Sequence, residues 1–168
     1  MYNEHFFIKK SEKTIDSIDC LWEKDAPRYI EIVTQLIDFF RNYSDGYHHL
    51  KEEGILFPAL KNHPEFVLQE MIDEFNEHHN SFREYTNDIV EALDNNEFPK
   101  SYNLLQEYFN DLLDHIAAED EELFVLAETL LSDDELETMY FKFKDVDLEL
   151  GEERKKSYEK LIEKLWEL

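Results

Sequence analysis

Two segments of the chain pair a histidine with a glutamate four residues later: His48 with Glu52, and His115 with Glu119. Residues four apart share one face of a helix, so each pair can present an imidazole nitrogen and a carboxylate oxygen to one ion or to two adjacent ions. The segments are copies of each other. At an offset of 67 residues, from 48 to 115, His48-His49-Leu50-Lys51-Glu52-Glu53-Gly54-Ile55-Leu56-Phe57 lies over His115-Ile116-Ala117-Ala118-Glu119-Asp120-Glu121-Glu122-Leu123-Phe124. The shared pattern is His-x-x-x-Glu-acid-x-x-Leu-Phe, and both copies sit among core-type residues. Burying two carboxylates and two imidazoles without a partner would cost several kcal/mol, and a bound cation removes that cost.

The elements that must position these residues are helices. With 3 glycines and 4 prolines in 168 residues, the chain has little material for turns. Breaks fall at Asp25-Ala26-Pro27, at Lys61-Asn62-His63-Pro64, at Asp94-Asn95-Asn96 with Pro99 following, at Ser132-Asp133-Asp134-Glu135 (a capping box) and at Gly151. Between them the apolar residues recur at three- and four-residue intervals, as in Leu68, Ile72, Phe75, Phe82, Ile89 and Leu93 or in Leu105, Phe109, Leu112, Ile116, Leu123 and Leu130. This spacing predicts helices near 3–23, 26–61, 64–94, 99–131, 133–149 and 152–167. Gly46, Gly54 and Pro58 lie inside the second, so it is expected to bend or to be two helices. The expected fold is all-α: an up-and-down four-helix bundle over 1–131, with additional C-terminal helices over 132–168 that pack on the bundle or on a partner.

Helix rise tests whether the bundle brings the histidines together. His48 lies about 22 residues into the second helix and His5 about 20 residues up the first, roughly 33 and 30 Å at about 1.5 Å per residue. His79 is about 16 residues past the second connection and His48 about 15 before it; His79 and His115 stand about 17 and 19 residues from the third connection. Each of the four helices therefore delivers a histidine to one layer. Four imidazoles and two carboxylates suit two divalent metals bridged by the carboxylates. Nitrogen and oxygen donors without thiolate favour iron and also accommodate manganese or zinc. A ferritin-like site would need Glu-x-x-His, which does not occur in the sequence.

The rest of the composition narrows the function classes. Acidic residues number 41 against 17 basic, a formal charge of −24, which repels nucleic acid and anionic membranes alike. Cys20 is the single cysteine, so neither an internal disulfide nor a thiolate cluster can form. No basic leader precedes an apolar run, and no run approaches membrane-spanning length, so the expected location is the cytoplasm.

These residues resemble the hemerythrin HHE cation-binding family. Tyr47-His48-His49-Leu50-Lys51-Glu52-Glu53 followed by Leu56-Phe57-Pro58 is similar to its second-helix signature, and His115-Ile116 with Glu119-Asp120 and Leu123-Phe124 to its fourth. Glu77-His78-His79 followed by Arg83 is similar to the family's third-helix Glu-His with a later arginine. The resemblance spans about residues 4 to 131. It implies two non-haem iron ions with Glu52 and Glu119 as bridging carboxylates and His5, His48, His79 and His115 as terminal ligands. His78 matches the Glu-His spelling, whereas His79 keeps the spacing to Arg83 and falls on the core stripe between Phe75 and Phe82, which favours His79. Val125 stands where Pro58 stands in the first copy, a departure from the family pattern. Oxygen-carrying hemerythrins have His-x-x-x-His in the third helix; here Arg83 holds the later position, which implies one ligand fewer and a more open site. His49 is expected to face solvent, His63 to be a turn residue, and Tyr43 and Tyr47 to pack.

The leading functional expectation is a binding protein: a hemerythrin-like di-iron domain that binds or senses oxygen or a related small diatomic, with Phe57, Phe75, Phe82 and Phe124 excluding water. The alternatives are an enzyme or repair protein using the same site, in peroxide or nitric-oxide chemistry or iron delivery, and a metal-free acidic bundle that recruits a basic partner.

Overall fold

A computed structural model describes residues 1–167. Helix α1 (Tyr2–Lys10) continues into α2 (Glu12–Ser17) across Ser11, whose hydroxyl donates back to the Ile8 carbonyl at 2.6 Å. Cys20, at φ +54°, ends this first arm earlier than the periodicity suggests. In α3 (Trp22–Phe39) Asp25 is non-helical, and its carboxylate accepts from the Arg28 backbone N–H at 3.0 Å. The regular helix therefore begins beside Pro27, as a capping aspartate and a first-turn proline dictate.

From Phe40 the expected second helix changes character. It continues as a π-type segment over Phe40–His49, one α-type step, a second π-type segment over Glu52–Leu56, and then α4 (Phe57–Lys61) with Pro58 in its first turn. The predicted bend is thus a widening rather than a break. Proline alone does not explain it. The fourth arm, α6 (Phe98–Ala118), widens in the same way over Glu119–Leu123 before α7 (Phe124–Leu130), and there Val125 replaces Pro58. Glu52–Leu56 and Glu119–Leu123 are separated by the same 67 residues as the sequence repeat. What the two wide turns share is a buried glutamate at their first position, in keeping with the tendency of π-turns to occur at functional sites.

Helix α5 (Gln69–Asp94) starts five residues later than Pro64 suggests. His63 is a turn residue as expected, since its carbonyl accepts from Phe66 N–H at 3.0 Å, and Phe66 is drawn into the core. Once begun, α5 buries Ile72, Phe75, His79, Phe82, Thr86, Ile89 and Leu93 in strict alternation of three and four. Helix α8 (Asp133–Leu150) opens on the Ser132/Glu135 capping box, and Gly151, at φ +96°, turns the chain into α9 (Glu152–Trp166). Tyr158, Ile162 and Leu165 of α9 join the core of the bundle, and Met139 of α8 joins a second apolar cluster with Leu56, Phe57, Phe75, Leu123 and Phe124. Along the second arm and α5 the site residues lie between these two clusters, and on the fourth arm Glu119 does, with His115 one turn before it beside Ile116 of the first. Among the described residues there is no strand, and no helix is long and apolar enough to cross a membrane.

Candidate metal centre

The structure brings together all six residues singled out by the spacing. His5, Glu52, His79 and Glu119 have no exposed surface, and His48 and His115 have almost none. Two sets of donor atoms result, one from His5, His48, Glu52 and Glu119, the other from His49, Glu52, His79 and His115, each with its atoms within 4.8 Å of one another. Two donors on opposite sides of an ion at metal–nitrogen distance stand roughly 4 Å apart, so each set is of a size to enclose one ion.

The two carboxylates straddle the sets. Glu52 turns Oε1 toward His48 Nε2 (3.4 Å) and Oε2 toward His79 Nε2 (3.5 Å). Glu119 turns Oε2 toward His5 Nε2 (3.3 Å) and Oε1 toward His115 Nε2 (3.0 Å). Although nitrogens lie this close, all four carboxylate oxygens are buried without a hydrogen-bond partner among the described residues.

The outward nitrogens explain why. His5 Nδ1 is 2.7 Å from Asp120, His48 Nδ1 is 3.0 Å from Glu4, His49 Nδ1 is 3.3 Å from Asp45, and His79 Nδ1 is 2.8 Å from Glu53. Toward an ionised carboxylate the imidazole must donate, which places the proton on Nδ1 and leaves a lone pair on the inward Nε2. Yet His5 and His48 bring their Nε2 atoms to 2.7 Å, and His79 and His115 bring theirs to 3.0 Å. The facing lone pairs of His5 and His48, the inward lone pair of His79 and the orphaned carboxylate oxygens, all buried, fit a pair of bound cations.

Lys9 holds Asp120 at 2.9 Å, Arg83 spans Asp45 and Glu53 at 2.6 Å each, and Lys51 and Lys155 both reach Glu4. Burial alone would raise Asp45, but hydrogen bonds from His49 and Arg83 hold it down to about 2. Burial is likewise overcome at Glu4 by His48, Lys51 and Lys155, which hold its carboxyl far below the usual range. Inside the centre, burial and the charge of Glu119 push Glu52 well above it, whereas at Glu119 burial yields to His115, His48 and His5 and the carboxyl sits well below. Burial lowers His5, His49 and His115; at His79 it is outweighed by Glu119 and Glu53, which raise the imidazole.

His79, not His78, enters the cluster: His78 is exposed and meets His115 at its outer Nδ1, at 3.3 Å. His49 corrects the expectation that it faces solvent. It is 2% exposed and stacks on His79 with ring centroids 3.8 Å apart and planes 8° from parallel. In an α-helix consecutive side chains diverge by about 100°, so His48 and His49 could not both face inward; the wide turn that carries them reduces that angle. The usable signal was the i,i+3 spacing of His49 and Glu52. Tyr43 and Tyr47 pack as expected, their hydroxyls donating away from the centre to Glu159 and to the Leu150 and Gly151 carbonyls. All four expected phenylalanines line it: Phe57 against His79, Phe75 and Phe82 against His115, and Phe124 stacked on His5.

Residues 10–127 match the profile of the hemerythrin HHE cation binding domain, 118 of the chain's 168 residues. The chain belongs to the hemerythrin family. No curated protein and no solved structure matches it. Membership in a cation-binding family and two His/Glu clusters together indicate a metal-binding, hemerythrin-like protein.

Proposed function

We propose that this hemerythrin-like chain holds two iron ions, bridged by Glu52 and Glu119, and binds or senses oxygen or a related small diatomic. The observation that supports it is the straddling of the two carboxylates, each with one undonated oxygen toward either histidine set. His5 and His48 serve one ion, and His49, His79 and His115 the other. His49 thereby stands in for the second histidine that α5 lacks, so the site is less depleted of ligands than Arg83 at the later α5 position implies. When bound, a ferrous pair supplies electrons to oxygen. The outer carboxylates hold the imidazoles of His5, His48, His49 and His79 in the tautomer that keeps Nε2 free, and the four phenylalanines keep bulk water from the reacting face. Residues 1–131 carry this site, and the C-terminal helices α8 and α9 brace it.

The reading is tested by iron analysis and an ultraviolet–visible spectrum of fresh protein. Two irons per chain and a near-ultraviolet band that appears with oxygen and fades on its removal are expected. Less than about half an iron per chain after reconstitution would end the metal reading in favour of an acidic interaction bundle. A second reading, iron delivery or redox enzymology, is favoured by one feature. His115 is backed by His78 rather than by a carboxylate, beside a groove of about 480 Å³ lined by His78, Asp111, Asp114 and His115. Irreversible consumption of oxygen or peroxide with turnover, or rapid iron loss to a chelator, would select it. The ligand set has its own check. His49→Ala is expected to weaken the second ion by about tenfold or more, and His78→Ala to retain both ions. Equal metal content in the two variants would reject His49 as a ligand.

A further inference from the structure

The four outer carboxylates are not held alike. Asp120 is anchored by Lys9, which is 46% exposed, and Asp45 and Glu53 by Arg83, which is 37% exposed, so these cations come from the bundle's own surface. Glu4, behind His48, is 2% exposed, and part of its support comes from the far end of the chain. Lys51 reaches Glu4 Oε1 at 2.5 Å, and Lys155 of α9 donates to the same oxygen. Asp147 of α8 in turn accepts from Lys51 at 2.7 Å and from Lys155 at 2.9 and 3.0 Å. The result is a closed square of two carboxylates and two ammonium groups; the remaining Glu4 oxygen, Oε2, takes the His48 Nδ1–H at 3.0 Å and has the Met1 ammonium 4.0 Å away. Tyr47, adjacent to His48, donates to both the Leu150 and Gly151 carbonyls and so pins the α8–α9 junction to the same place. Asp147 and Lys155 both lie beyond the matched family region, which ends at residue 127.

We propose that Lys155 and Asp147, on the two C-terminal helices, are positioning residues for His48, acting through Glu4, so that docking of α8 and α9 sets the affinity of the His5/His48 half of the metal centre. This rests on the di-iron reading above. Removing the Lys155 ammonium leaves Glu4 and Asp147 sharing Lys51, with only the more distant Met1 ammonium beside Glu4, and the Glu4 carboxylate is then free to shift from His48 toward Lys51. His48 loses the partner that fixes its ring plane and tautomer. Partners of this kind are commonly worth about 10- to 100-fold in metal affinity.

The test is anaerobic titration of the metal-free full chain with ferrous iron, joined to nitrogen-15 NMR of the histidine rings in the metal-free protein. Wild type is expected to take up two ions in two steps. Lys155→Met is expected to weaken one step by about 10- to 100-fold, leave the other unchanged, and move the His48 ring resonances without moving those of His79. Lys155→Arg, which restores a cation, should behave as wild type. Ile162→Ala, on the same helix and buried in the core, should lower the melting temperature yet still bind two ions below it. Should Lys155→Met fail to fold, Asp147→Asn carries the same expectation. Two unchanged binding steps and an unmoved His48 signal in the lysine variant would overturn the proposal, as would equal metal loss in Ile162→Ala, which would reduce the effect to general stability. A wild-type chain that takes up no iron would instead reject the di-iron reading itself.

Discussion

The Glu52→Gln variant is expected to lose both metal ions and, in the metal-free state, to melt at a higher temperature than wild type. The first effect follows from the straddling geometry: an amide offers one neutral oxygen where two anionic ones face the two histidine sets. The second follows from the cost of keeping that carboxylate. Glu52 is fully buried, both oxygens lack donors, and burial together with the charge of Glu119 pushes its carboxyl well above the usual range. A group whose folded pKa exceeds its unfolded value stabilises the fold only at low pH. That contribution is present below the ordinary glutamate value, about 4.3, and is lost as pH rises through the folded value. Above the ordinary glutamate value this buried carboxyl is therefore a liability in the metal-free protein, because the fold must either bury its charge or take up a proton. An amide removes the charge and can donate to Glu119. Relieving an unpaired buried polar group is worth roughly 1–3 kcal/mol, or roughly 2–12 °C in a domain of this size. Calorimetry of both metal-free proteins at pH 7 measures it; a Glu52→Gln melting temperature below that of wild type would contradict the charge argument.

Much of this centre was legible because its parts are periodic. The His-x-x-x-Glu copies at offset 67 survive in three dimensions down to the wide turns at Glu52–Leu56 and Glu119–Leu123. Counting helix rise from the connections placed His5, His48, His79 and His115 at one level, because long arms joined by short links leave no other register. Where local rules met tertiary demands, the tertiary demands won. Pro64 spells a helix start, yet burial of Phe66 delays α5 to Gln69. His49 reads as solvent-facing on an α-helical wheel, and only the π-type winding turns it inward. Glu4 and Lys155 are 151 residues apart, and nothing in either one's neighbourhood announces a buried charge pair. Such pairing is set by how α9 docks, which apolar spacing leaves undetermined.

Loading the centre is expected to raise the melting temperature by more at pH 8 than at pH 6. A ligand present at about 100 times its dissociation constant stabilises the fold by roughly 2.7 kcal/mol per site, which for a chain of this length is roughly 5–11 °C for the first ion alone. The pH trend follows from competition for the same nitrogens. Although burial works against it, Glu119 and Glu53 raise the His79 imidazole above its ordinary value. A raised imidazole stabilises the metal-free fold below about pH 6.5, and that support disappears as pH rises through the folded value. An incoming ion must displace the His79 proton, so binding is opposed in the range where the proton steadies the empty centre. At higher pH the proton leaves, and the freed Nε2 lone pair of His79, 3.0 Å from His115 Nε2, is open to a cation. Paired melts of metal-free and iron-loaded protein at pH 6 and pH 8, under anaerobic conditions, read the difference directly. An increment that is the same at both pH values, or larger at pH 6, would mean that protons and metal do not compete at His79, and the ligand would have to be sought among its neighbours.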